Sequence, residues 1–71
     1  MRWLNQNKEF IDSVMYEDLS IDREINKLPI LSFSSQAEMK NEDVIDYEGH
    51  FYTVKEVDGE IGDWKDIVCL Y

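Results

Sequence analysis

Apolar and polar positions alternate along much of the chain, most sharply from Asp43 to Val57. With Glu48-Gly49 as a two-residue turn, Tyr47 pairs with His50, Ile45 with Tyr52 and Asp43 with Val54. Strand side chains alternate with period two, so Ile45, Tyr47, Tyr52 and Val54 share one face. The other face carries Asp46, Thr53 and Lys55, with Val44 and Phe51 as apolar exceptions. Gly49 supplies the positive φ that such a turn needs. The segment predicts a β-hairpin.

The same reasoning divides the rest of the chain. Met1 to Asn7 is a lead-in with Trp3 and Leu4 as anchors. Glu9 to Tyr16 predicts a strand with Phe10, Val14 and Tyr16 on one face, Val, Ile, Phe and Tyr being favoured in strands. Glu17-Asp18 reads as a turn. Leu19 to Asn26 alternates again, with Leu19, Ile21, Arg23 and Ile25 on one side, and Asn26-Lys27 marks the next reversal. Ile21, Ile25 and Leu28 also have helical spacing, but a helix places Leu19 poorly. Leu28 to Ser34 is the following strand, with Pro29 at its start because proline cannot donate to a ladder. Ser35 to Asn41 predicts one or two helical turns, capped by Ser34 or Ser35 with Glu38 close behind. Asp58 to Asp63 reverses the chain at Gly59 and Gly62. Trp64 to Tyr71 is the last strand. The expected fold is mostly β, a small antiparallel sheet or partly open barrel with one short helix, α+β being the alternative.

Composition bounds this picture. Seventy-one residues make one domain. A chain of this size buries only about 60% of the surface its unfolded form exposes, which makes support from a partner or from further chain valuable. The chain carries 16 acidic and 7 basic residues, a net charge of −9. That disfavours nucleic-acid binding through a basic patch. It leaves an ordinary solvated surface, or an inhibitor that presents carboxylates as phosphates are presented. Here the acids interleave with Ile, Val, Leu and Tyr, which favours the former. No apolar run approaches the length of a membrane span, and Met1 to Lys8 lacks a signal-peptide core. Synthesis in the cytoplasm is the expectation. The apolar run Val68-Cys69-Leu70-Tyr71 points to a partner surface or to a domain continued in a longer protein.

Candidate chemistry is sparse. Cys69 is the one cysteine, set among Ile67, Val68 and Leu70 as a buried small hydrophobe would be. His50 is the one histidine and lies beside the hairpin turn. Carboxylate pairs such as Glu17/Asp18, Glu42/Asp43 and Asp63/Asp66 arise by chance in so acidic a chain. Asp58, Glu60, Asp63 and Asp66 surround two glycines without the spacing of a calcium loop. No catalytic residue, metal ligand or cofactor site is assigned, and the chain reads as non-enzymatic. The aromatics are more informative: Trp3, Tyr16, Tyr47, Phe51, Tyr52, Trp64 and Tyr71 exceed what a small core hides, and Trp and Tyr are enriched at interfaces. Val44, Phe51, Val57, Trp64 and Tyr71 are the candidate interface.

Two runs carry a family resemblance. One is Asp18-Leu-Ser-Ile-Asp-Arg-Glu-Ile-Asn26 followed by Pro29-Ile-Leu-Ser-Phe33. The other is Asn41-Glu-Asp-Val-Ile-Asp-Tyr-Glu-Gly-His-Phe-Tyr-Thr-Val-Lys-Glu-Val57. In this order they resemble the N-terminal domain of tail-tip proteins from Gram-positive siphophages and prophages, the prophage endopeptidase-tail or tail-associated lysin family. The resemblance spans roughly residues 10 to 71 and rests on strand and turn residues. It implies a β-rich hub domain of the tail tip in the virion, usually trimeric, docking on the distal tail protein and on other hub copies. Ser34 to Glu42 is shorter than the family's usual insert, and the family's peptidoglycan-cleaving part has no counterpart here. The expected function is structural, through protein–protein contacts with no nucleic acid or membrane. The alternative is a small acidic regulator that inhibits a host nucleic-acid enzyme by charge mimicry.

Overall fold

The computed structural model describes residues 1–71. Seven strands follow one another: β1 (Arg2–Leu4), β2 (Phe10–Ser13), β3 (Glu17–Asp22), β4 (Ile30–Ser35), β5 (Val44–Tyr47), β6 (His50–Asp58) and β7 (Lys65–Leu70). They form one antiparallel sheet in the order β2-β1-β5-β6-β7-β4-β3.

The hairpin has the register its alternation predicts, with Ile45 opposite Tyr52 and Tyr47 opposite His50. Asp43 and Val54 extend the pairing through the Val54 N–H, which donates to the Asp43 carbonyl at 2.8 Å. Glu48 and Gly49 both have positive φ, 52° and 81°, the twist of a type I′ turn.

Topology forces the sheet to curl. Strands β2 and β3 lie at opposite edges, yet only Val14, Met15 and Tyr16 join them. A flat seven-stranded sheet would hold its edges about 29 Å apart, at ~4.8 Å per strand. The four peptide steps from Ser13 to Glu17 reach about 14 Å at most. The sheet therefore wraps into an incompletely closed barrel around its inner face. Leu31, Phe33, Ile45, Tyr52, Val54, Ile67 and Cys69 fill that face, joined by Val14 from the link and Met39 from the β4–β5 connection. Tyr16 closes over them, its ring 6.3 Å from Phe33 and 6.2 Å from Tyr47, both edge-on.

Several expectations are corrected here. The first long strand ends at Ser13, because Val14 to Tyr16 leave the ladder to cross between edges; Val14 is buried, but Phe10 is exposed. The turn expected at Glu17-Asp18 is a bulge at the head of β3, with Asp18 at φ 53°. Leu19 and Ile21 face inward as expected, but the strand stops at Asp22, leaving Ile25 91% exposed in the turn. The helix expected over Ser35–Asn41 is absent. Ser35 ends β4, and its hydroxyl donates to the Met15 carbonyl at 2.9 Å while accepting from the Ala37 N–H at 3.2 Å. The Asp43 carboxylate takes the Lys40 N–H at 2.9 Å. So short a segment cannot repay helix nucleation when side chains already satisfy its backbone. The chain is all-strand, and the α+β alternative falls with the helix.

Glu48 holds a left-handed conformation that costs an L-residue with a Cβ about 1–2 kcal/mol, less for asparagine. Glu48→Asn should therefore stabilise the domain by about 0.5–1 kcal/mol in urea unfolding with an unchanged m-value. A loss of stability would show that Glu48 contributes something beyond the turn.

Candidate functional site

The five candidate interface residues do not form one surface. Val44 is 6% exposed and pairs with Leu4, which is equally hidden. Both lie outside the inner cluster, next to the Asn5–Glu9 connection that follows β1. The Asn5 carboxamide oxygen organises that connection by accepting the Asn7 and Glu9 N–H groups, and the Lys8 ammonium sits 4.7 Å above the Phe51 ring. Val57 is corrected as well. Simple alternation sends it outward, but a bulge at Lys55 inserts one residue between Val54, opposite Cys69, and Glu56, opposite Val68. The insertion turns Val57 inward against the core beside Ile67.

Phe51, Trp64 and Tyr71 remain exposed. They lie apart. Trp64 and Tyr71 flank the two ends of β7, so an extended chain separates them by about 24 Å. Tyr71 packs with Tyr52 and His50 at ring distances of 5.5 and 5.7 Å.

Around Trp64 the curled sheet leaves a groove of about 240 Å³. It lies where β2, the Val14–Tyr16 link and the end of β4 approach without pairing. Trp3, Val14, Met15, Ala37 and Trp64 give it apolar walls, and Asp12, Ser13, Ser35 and Gln36 its polar groups. Sequence reasoning picked out the two tryptophans but not their meeting, which depends on sheet closure. The Trp3 indole is held from behind, donating Nε1–H to the Asp43 carboxylate at 2.9 Å.

Lys65 is tied to Gln36, one of the residues lining this groove. Its side chain is 3% exposed, and its Nζ donates to the Gln36 carbonyl at 3.2 Å, the Asp63 carbonyl at 3.0 Å and Glu38 Oε1 at 3.0 Å. Three acceptors for three donors make burial of the ammonium tolerable. Glu38 also accepts the Gly62 N–H at 3.0 Å, and with Lys65 this holds its carboxyl below the usual carboxylate range. Gly59 is required beside it: at φ 146° a Cβ would come within 2.9 Å of Lys65 Cγ and 3.0 Å of its Cα. Nothing in the alternation pattern signals this lysine, because Lys65 occupies an inward position that pattern reading reserves for apolar residues.

The reactive side chains are placed as follows. Cys69 is fully enclosed, and burial pushes its thiol up to about 12, which leaves no thiolate for nucleophilic attack at neutral pH. The Tyr47 phenol is likewise pushed up, first by desolvation and then by Glu48 and Tyr16. Of the acids around the two glycines, Asp66 accepts the Ser34 hydroxyl at 3.1 Å, and no three of them converge.

Lys65→Met keeps the apolar stem but leaves the Gln36 and Asp63 carbonyls short of a donor. It should cost about 1–3 kcal/mol in urea unfolding. Glu38→Gln, whose amide oxygen still accepts, should cost less. Because folding depresses the Glu38 value, its contribution is present above the ordinary value of 4.5 and fades as pH falls below it. Glu38→Gln should therefore flatten the acid side of the stability–pH profile. A thiol reagent should label Cys69 only as fast as the protein opens, so labelling at the rate of a free cysteine in native buffer would contradict its enclosure. No protein-family model, curated protein or solved structure matches the chain.

Proposed function

We propose that this chain is a structural component of a phage or prophage tail tip, working through contacts with the distal tail protein and with other hub copies. The observation that carries this reading is a band of exposed apolar side chains along one open edge of the sheet. Phe10 and Ile11 on β2 and Met15 on the link are exposed, and Trp64 stands across the groove at 44% exposure. Edge strands with apolar side chains are liabilities unless a partner covers them. The resemblance of its strand and turn residues to the tail-tip family is what suggests a tail protein as that partner. The domain would then reside in the virion, at the tail tip.

The test is association with purified distal tail protein from the phage or prophage that encodes the chain, followed by light scattering after size-exclusion chromatography. The expected result is a defined complex that tolerates moderate salt. Met15→Ser, a change on the 84% exposed side chain of that band, should weaken assembly at least tenfold while shifting unfolding stability by less than about 1 kcal/mol, as exposed substitutions do. Equal loss of assembly and folding would count against the reading, as would no complex at all. Charge mimicry predicts a different salt response. A phosphate-like array that replaces several nucleic-acid contacts should lose about a thousandfold in affinity for its target between 50 and 200 mM salt.

A further inference from the structure

The two open edges of the sheet are built differently. Strand β3 is guarded by Glu17, Asp18 and Asp22 and by a bulge with Asp18 in the left-handed region. Charge and bulging are the usual means of preventing strand addition. Strand β2 also has a bulge, at Ile11, and a single acid, Asp12, but it presents Phe10 and Ile11 to solvent, and all four of its residues are exposed.

The backbone of β2 has a donor at its outer edge that no neighbouring strand receives. The Val14 N–H donates to the Met1 carbonyl at 2.9 Å, toward β1, and alternation turns the preceding Ser13 N–H away from β1. That N–H is satisfied only by its neighbour, the Asp12 carboxylate, at 2.8 Å. Asp12 also lines the groove between Trp3 and Trp64. An edge donor held only by its neighbouring acid, and two indoles, therefore meet at one place.

From this meeting we infer that the β2 edge and the Trp3–Trp64 groove together bind an extended segment of a partner protein that carries lysine or arginine next to bulky apolar side chains. The segment adds a short strand beside β2. Its backbone carbonyl replaces Asp12 on the Ser13 N–H, and the released Asp12 carboxylate pairs with the segment's cation. An apolar side chain of the segment enters between the indoles, where Trp faces favour both apolar groups and cationic stems. Charge selects this occupant over a second copy of the chain. Each copy carries −9, and neither the groove lining nor β2 offers a cation to receive Asp12 from another copy. The inference rests on the tail-tip reading only in taking the segment from a protein partner.

The probes are two capped peptides, one alternating lysine with valine over six residues and one with glutamate in place of lysine. Each is titrated into the isotope-labelled full chain while amide and indole resonances are followed. The lysine peptide should shift the Ser13 amide and the Trp64 indole with a Kd at least tenfold below that of the glutamate peptide. Asp12→Asn keeps an acceptor for Ser13 and removes the charge, so it should reduce this preference several-fold. Trp64→Ser should weaken both peptides. Equal affinity for the two peptides, or no shift at Ser13 and Trp64 at millimolar peptide, would overturn the inference, as would dimerisation of the chain alone through β2. Failure of the peptides while distal tail protein still binds would reject this groove and spare the tail-tip reading. Peptide binding without any tail-protein complex would do the reverse.

Discussion

A chain of three residues, Val14 to Tyr16, has to join two strands that stand at opposite ends of a seven-stranded sheet. Its reach is about half the width of such a sheet laid flat. Curling brings the inward side chains of β4, β5, β6 and β7 together into one cluster, which 71 residues could not otherwise enclose. The link is also part of what it encloses. Val14 enters the core, Tyr16 packs edge-on against Phe33 and Tyr47, and the Met15 carbonyl takes the Ser35 hydroxyl.

The second organising interaction is ionic. Lys65 begins β7 facing inward, and its ammonium draws the β4–β5 connection and the Gly59–Asp63 turn onto the end of the barrel. A buried charge of this kind does little for net stability compared with an apolar residue, but losing it would leave two carbonyls and a carboxylate without this donor. Gly59 belongs to the same arrangement, since a Cβ there would press on the Lys65 side chain at 2.9 Å from its Cγ. The connection between β4 and β5 thus takes its shape from a side chain far along the chain and not from its own helix formers.

These two constraints also make the groove. The link stops short of pairing β2 with β4, and Lys65 holds the neighbouring turn in place, so Trp3 and Trp64 stand on either side of a gap that neither strand can close. Asp43 fixes Trp3 from behind while holding the Lys40 N–H with the same carboxylate oxygen. The surface that carries the functional proposal is therefore a consequence of how the sheet wraps.

Period-two alternation is a local property, and it sufficed wherever strands pair with a close neighbour in the chain. The 43–57 hairpin, its turn and the inward set Ile45, Tyr52 and Val54 were legible because the turn geometry sets the register. The inward placement of Leu31 and Phe33, and the enclosure of Cys69, followed from the same rule. It failed at bulges, where one inserted residue at Lys55 reverses the face of Val57, since no residue type announces an insertion. It failed again for Val44, buried where it pairs with Leu4 of a strand far away in sequence, and over residues 35–41, where partners on β7 and its preceding turn outweigh helix propensity. What the chain determined by itself was the strands and their inner faces, because neighbouring residues carry that information. Closure, the buried lysine and the two-tryptophan groove were decided only when distant segments met, because each depends on contacts whose free energy exists solely in the assembled sheet.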